Sequence, residues 1–277
     1  MAGMAGDGLL WDVSSPSRPI RLAGVQAAGF TDRGITPPQL RLIPHPAVTL
    51  ILVFGGALAV DDPAGGRLRG SFVLAPGYGR VLRARQLESF SCLQIRLSPA
   101  VARAVIGDAV GALDGAVQLD DLWGRDAERL TYRLGDLRDW ESRFALVERW
   151  LGERVSTGVA TTPEVAWAWQ QIAESHGSVR VDRLATELGW SRRQLWARFR
   201  SQVGLTPKSA AKLVRFDHAV HRLAVGQAPA RVAAEAGFSD QSHLHRDVAA
   251  FTGLTPSTVG GEPFLAVDDV AWGWPGR

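Results

Sequence analysis

Residues 231–256 read RVAAEAGFSDQSHLHRDVAAFTGLTP, and within them His243 and His245 form a His-x-His pair with Asp247 close behind. On a strand the two imidazoles would share a face and suit a metal site. On a helix they diverge by about 200° and point apart. The neighbours decide for a helix: Asp240 stands where a helix cap belongs, Leu244 and Val248 are four apart, and Gly253 closes the segment. A short helix carrying Val232 and Ala233 precedes it and ends at Gly237. The stretch therefore predicts two short helices around a tight turn.

The chain repeats this pattern. RLATELGWSRRQLWARFRSQVGLTP at 183–207 matches it at an offset of 48 residues through the leading helix and 49 at the closing Gly-Leu-Thr-Pro, so the second copy has one extra residue in its turn. In the first copy Leu184, Ala185 and Leu188 face a core, Gly189 ends the helix, Ser191 caps the next, and Leu195 and Phe199 bury its inner side. That leaves one face of each second helix free to enter a major groove about 12 Å wide. On those faces the expected base contacts are Arg192, Arg193 and Trp196 in the first copy and Gln241, Ser242, His245 and Arg246 in the second. Arg180, Arg200, Lys208 and Lys212 are expected at phosphates, beside the two caps Ser191 and Asp240. Between the copies, His218 and His221 read as polar positions on a surface helix, with Asp217 turned to another face.

Charge agrees with a polyanion at this end. Residues 178–258 hold 12 Lys and Arg against 6 Asp and Glu, leaving 19 against 22 elsewhere. At 277 residues, with 46% hydrophobic and 21% charged, the chain has the composition of a globular protein, and its length favours two domains. The longest apolar run, AVTLILVFGGALAV at 47–60, is broken by Gly55 and Gly56 and is too short for a membrane span. The N-terminus shows no signal-peptide pattern, so a cytoplasmic protein is expected. The single cysteine, Cys92, excludes an internal disulfide and a multi-cysteine zinc site, and its place in FSCLQIRL predicts a buried structural thiol.

The first half reads differently. From about 40 to 97, short β-rich runs are separated by Gly and Pro clusters, as in a small barrel or sandwich. After Ser98-Pro99 the period becomes helical up to Gly107, and longer helices are expected near 121–134 and 138–155. The second carries Trp140, Phe144, Val147, Trp150 and Leu151 on one face, a stripe that suits a core or a dimer seam. The expected layout is a flexible N-terminus over 1–20, a sensor or dimerisation domain over 21–155, a linker at 156–163, a double helix-turn-helix over 164–258 and a tail over 259–277.

Arg215, Ala219, Leu223, Ala233, the Gly237-Phe238 run, Asp240 through Arg246 and the closing Gly253-x-Thr255-Pro256 resemble the DNA-binding domain of AraC/XylS-type transcription regulators. Two positions depart from that pattern. Val248 stands where the family has a large aromatic, with Phe251 three residues on, and Ala197 stands where some members place a base-reading arginine. The region from PHPAVTLILVF to ALVERWLGERV is similar, more loosely, to the sensor region of a bacterial subgroup. The resemblance implies an α+β chain: an N-terminal cupin-like β-barrel with following helices, then an all-α domain with two helix-turn-helix subdomains joined by a long helix. It further implies readers held about 34 Å apart, one DNA turn, by the helix near 208–224. Leu213, Phe216, Val220 and Leu223 would pack into both halves.

The partners implied are double-stranded DNA and a second copy through the N-terminal region, with the helix at 138–155 as its surface. A small-molecule effector and RNA polymerase are further partners such a reading admits. No cofactor, metal or catalytic residue is expected. A metal-dependent cupin enzyme fused to a DNA-binding module would need clustered ligands, yet His45 is the single histidine before residue 176. A helix-turn-helix used only for protein contact would be indifferent to Arg193 and Arg246.

Overall fold

The computed structural model describes residues 9–34, 39–77 and 79–272, apart from the side chain of Asp269. The N-terminal half holds ten strands: β1 (Trp11–Ser14), β2 (Val25–Asp32), β3 (Leu40–Arg41), β4 (Val48–Val53), β5 (Leu58–Asp62), β6 (Gly66–Arg69), β7 (Phe72–Leu74), β8 (Arg83–Gln86), β9 (Ser91–Leu97) and β10 (Ala116–Gln118). They form a six-stranded antiparallel sheet in the order β1-β2-β9-β4-β7-β10, facing a four-stranded antiparallel sheet in the order β3-β8-β5-β6.

Period-two alternation assigns the faces of the larger sheet. In β9, Leu93, Ile95 and Leu97 join an outer core under helices, while Cys92, Gln94 and Arg96 point into the barrel. All six residues of β4 are buried because both faces of the sheet are covered. The covering helices are α1 (Pro99–Ile106), a 3-10 turn (Gly107–Ala112), α2 (Leu119–Trp123), α3 (Arg125–Asp136) and α4 (Trp140–Thr157). Ser98 caps α1 by accepting from the backbone N–H of Ala100, as its sequence predicts. The helix expected over 121–134 is divided at Gly124, which takes φ +51°. On α4, Phe144, Val147 and Leu151 are buried in the outer core, with Trp140 and Trp150 packed against it. The stripe faces the barrel and serves the core.

The remaining helices are α5 (Pro163–Glu174), α6 (Val181–Glu187), α7 (Arg192–Val203), α8 (Pro207–Ala224), α9 (Pro229–Glu235), α10 (Gln241–Thr252), α11 (Pro256–Val259) and α12 (Pro263–Ala271). They form two small cores sharing α8. Ala210, Ala211 and Val214 pack with α5, α6 and α7, whereas Leu213, Phe216, Val220 and Leu223 pack with α9, α10 and α11. The four residues expected to serve both halves thus serve the second, and a separate stripe of small residues serves the first.

Both chain ends differ from expectation. Residues 1–8 lie outside the described residues, but the rest of the segment expected to be flexible includes β1, whose Trp11 is 4% exposed. The expected tail holds α12, whose Val267 and Ala271 are buried in the barrel's inner core. The linker is also packed. Between α4 and α5, Thr161 is buried, the Thr162 N–H donates to Gln202 at 2.8 Å and Arg103 donates to the Ala160 carbonyl at 3.2 Å. Among the described residues no helix is long and apolar enough to cross a membrane.

Candidate nucleic-acid interface

Each repeat folds as helix, turn, helix. After α6 the backbone reverses through Gly189 at φ +66°, and after α9 through Gly237 at φ +77°, a region that costs other residues strain. The next helix is then capped. Ser191 Oγ accepts from the Gln194 N–H at 3.1 Å, and Asp240 Oδ1 accepts from the His243 N–H at 2.7 Å. These contacts make Ser191 and Asp240 structural caps, and their acceptor atoms are engaged with the backbone. Leu195 and Phe199 bury one side of α7, and Leu244 and Val248 one side of α10.

The opposite sides are open. Arg192, Arg193, Trp196, Ala197 and Arg200 form one exposed face of α7, and Gln241, Ser242 and Arg246 one exposed face of α10, with His245 half-exposed beside them. Trp196 is 47% exposed, and the Arg200 guanidinium lies 5.3 Å from its ring centre. Arg192 pairs with Asp182 at 2.6 Å, an exposed contact that competes weakly with any stronger anion. Among the described residues Arg193 has no ion-pair partner, and Arg246 donates within its own helix to the Ser242 carbonyl at 3.4 Å. Lys208, in the first turn of α8, and Arg180, at the start of α6, are exposed. The two faces can therefore present fork-shaped guanidinium groups, an amide and an indole to base edges, with flanking cations at phosphates.

Two of the expected phosphate contacts have other company. Lys212 reaches Asp247 at 3.2 Å and lies 5.1 Å from the Phe251 ring centre, so its ammonium ties α8 to α10. Arg200 borders a groove against Pro76, Gly77, Gly111 and Asp114 of the N-terminal half. There α7 packs on the 3-10 turn and α1, close enough that a Cβ on Gly111 would stand 2.7 Å from the Ser201 carbonyl oxygen. In the second repeat, Phe251 packs on Phe216 with ring centres 4.5 Å apart while Val248 is fully buried, so Phe251 occupies the aromatic position three residues late.

His243 and His245 both lie on α10, in its first two turns. His243 packs edge-on against Phe238 and lies 3.5 Å from Asp247, while His245 projects elsewhere. No group of three His, Cys, Asp or Glu among the described residues is placed to hold a metal ion.

A helix-turn-helix domain family model matches residues 184–260. The chain carries an AraC-type helix-turn-helix domain. A curated relative, the uncharacterized HTH-type transcriptional regulator YbfI of Bacillus subtilis (strain 168), is 37% identical over 67 residues. That match covers 24% of this chain and 24% of the relative, so the chain spans about a quarter of that protein's length in alignment. Among solved structures, apo ToxT from Vibrio cholerae strain SCE256 matches with a TM-score of 0.50 at 11% identity, covering 88% of this chain and 99% of that one. This likeness shows the fold across both halves: a strand-rich N-terminal region followed by the AraC-type domain.

Sequence reasoning missed a charged cluster where the AraC-type domain meets the barrel. His221, expected at the surface of α8, is 4% exposed, and Asp217, one turn before it, is 5% exposed. His221 Nδ1 donates to the Asp217 carbonyl at 2.8 Å, and Nε2 faces Asp268 of α12 at 3.3 Å. Asp268 also accepts from Arg96 of β9 at 2.7 Å. Burial alone would lower the His221 pKa, but the hydrogen bond to Asp268 and the charge of Asp217 raise it to about 9. Burial likewise opposes ionised Asp268, yet Arg96 and His221 hold it at about 2. Asp217, with less compensation, is pushed by burial to about 6, and burial with the nearby Arg96 charge keeps His45 well below its usual value. The one available signal was parity: Arg96 shares its strand face with Cys92 and Gln94 inside the barrel.

Proposed function

We propose that this chain is a sequence-specific DNA-binding transcription regulator whose AraC-type domain reads two successive major grooves, one with α7 and one with α10. The observation that carries the reading is the pair of exposed reader faces on helices joined by one unbroken 18-residue helix, α8. At 1.5 Å per residue α8 is about 27 Å long, which suits readers set about one DNA turn apart. Arg193, Trp196 and Arg192 would contact bases in one groove and Gln241, Ser242, His245 and Arg246 in the next. Arg180 and Lys208 would meet phosphates, and Arg200 would do so from the edge of its groove. Lys212 is better explained as the partner of Asp247.

A single copy carries both readers, which favours reading of both grooves by one protomer. The barrel is the natural place for control: α7 packs on its flanking turn, α12 of the C-terminal half enters it, and it encloses an apolar cavity. A small molecule that binds two arrangements of these contacts differently would change DNA binding.

The test is selection of sites from random DNA, then titration with wild type, Arg193→Ala and Arg246→Ala at two salt concentrations. The expected result is a split motif with half-sites one turn apart, each variant relaxing its own half by about 1–3 kcal/mol. No enriched motif, or variants that bind like wild type, overturns the assignment.

A further inference from the structure

The two readers present different chemistry at equivalent positions. At the offset of 49 residues that aligns Leu195 with Leu244, Trp196 and Ala197 fall on His245 and Arg246. The second reader therefore holds hydrogen-bonding side chains where the first holds an indole and a methyl group. Among the described residues Trp196 is the one exposed tryptophan, at 47%, and Ala197 beside it is exposed as well. A large aromatic side chain held in water beside a methyl group gains when an apolar group covers both.

Three of the four arginines on α7 are already engaged. Arg192 pairs with Asp182 at 2.6 Å, Arg198 lies 4.8 Å from the Trp190 ring centre, and Arg200 lies 5.3 Å from that of Trp196, where it backs the indole. Arg193 is left as the fork for a base, and guanine is the base that its geometry favours. Around it the exposed face of Arg192, Arg193, Trp196, Ala197 and Arg200 has no amide or hydroxyl. The remaining feature of a major-groove edge that such a face can read is the C5-methyl group of thymine, which takes apolar contact. Trp196 and Ala197 stand three and four residues beyond Arg193, about 4.5–6 Å along the helix, or one to two base steps of about 3.4 Å each.

We propose that the first reader recognises the C5-methyl group of a pyrimidine, through Trp196 and Ala197, one or two base steps from the guanine taken by Arg193. The inference rests on the reading of α7 as a base-contacting helix and adds what that helix selects. It makes the two half-sites chemically unlike, so one protomer binds its site in a single direction. It also makes the first half-site responsive to cytosine methylation, because 5-methylcytosine carries its methyl group at the same ring position as thymine.

The test uses the full chain and the site selected from random DNA, the half relaxed by Arg193→Ala being that of α7. Duplexes are made with thymine, uracil, cytosine or 5-methylcytosine at one pyrimidine position at a time, the complementary base matched, and affinities are read by fluorescence anisotropy at fixed salt. At one position of the α7 half-site uracil should bind about fourfold more weakly than thymine, and 5-methylcytosine about fourfold more tightly than cytosine, which is what one buried methyl group contributes. The α10 half-site should show no such dependence. Trp196→Ala should erase the thymine preference and leave the unfolding midpoint unchanged, since that side chain is exposed and belongs to neither core of the domain. The four duplexes need no substitution in the protein, so a variant that fails to fold leaves the inference exposed to refutation. Equal binding of thymine and uracil throughout the α7 half-site overturns the proposal and leaves Trp196 to donate to a base acceptor, which uracil retains. A methyl preference that survives Trp196→Ala overturns it too, since the preference would then lie in the stacking of the DNA. A split motif without methyl preference refutes this inference alone, whereas failure to select any motif refutes the regulator reading and this inference with it.

Discussion

Replacing Asp247 with alanine should loosen the second reader more than any surface change on it. The Asp247 carboxylate is 6% exposed and faces three cationic or potentially cationic groups: Lys212 at 3.2 Å, His243 at 3.5 Å and Arg215 at 3.6 Å. It sits on the inner side of α10 and draws that helix onto α8. Removing one partner of a buried ion pair costs about 3–5 kcal/mol because the other is left desolvated. Lys212 is 40% exposed and can be rehydrated, which reduces the expected loss to about 2–3 kcal/mol. With a urea slope near 2 kcal/mol/M, the unfolding midpoint of the C-terminal half should fall by about 1 M. The double variant Lys212→Met with Asp247→Ala should recover about 1 kcal/mol relative to additivity, since no unpaired ammonium remains. Site titration should show the α10 half-site weakened more than the α7 half-site. An Asp247→Ala midpoint within about 0.2 M of wild type, an order of magnitude set by the same slope, would refute the argument.

Gly237→Ala has room for its Cβ, the nearest side-chain atom being 3.7 Å away on Ser178, so its cost should be the left-handed strain alone, about 1–2 kcal/mol by denaturation. Gly237→Asn should cost less, and equal tolerance of valine would show that the turn takes another conformation. The raised His221 pKa gives α12 a pH dependence: the stabilisation is fully present below the unfolded value of 6.5 and is lost as pH rises through about 9. Exchange of α12 amides, corrected for intrinsic rates, should therefore accelerate from pH 7 to 10 and lose that dependence in His221→Gln, with Asp217, Asp268, Arg96 and His45 the charged or titratable groups around it. Cys92 is fully buried, and burial pushes its thiol to about 12, so iodoacetamide should label it about 100-fold more slowly in the native chain than in urea. Lys208→Ala should lower the log–log salt slope of DNA binding by about one unit without changing the preferred site.

What the sequence determined by itself was whatever depends on neighbours a few residues apart. The caps Ser98, Ser191 and Asp240, the turn glycines Gly189 and Gly237, and the four-residue spacings Leu195 to Phe199 and Leu244 to Val248 are local hydrogen-bonding and periodicity effects. They place the helix-turn-helix pair and its outward faces without knowledge of the rest of the chain. Tertiary structure decided what depends on distant partners. A four-residue segment such as β1 becomes a strand because β2 offers an edge for it, with Trp11 opposite Asp32. The same dependence explains α12, a breaker-flanked segment that gains its place by filling a barrel whose strands all lie far earlier in the chain. Charged side chains show the physical reason most plainly. His221 reads as a surface position and Lys212 as a phosphate contact, since lone charges avoid burial. His221 is drawn inward because Asp268 arrives from another helix to compensate it, Asp217 is buried beside His221, and Lys212 leans onto α10 because Asp247 faces it; no local spacing records those partners.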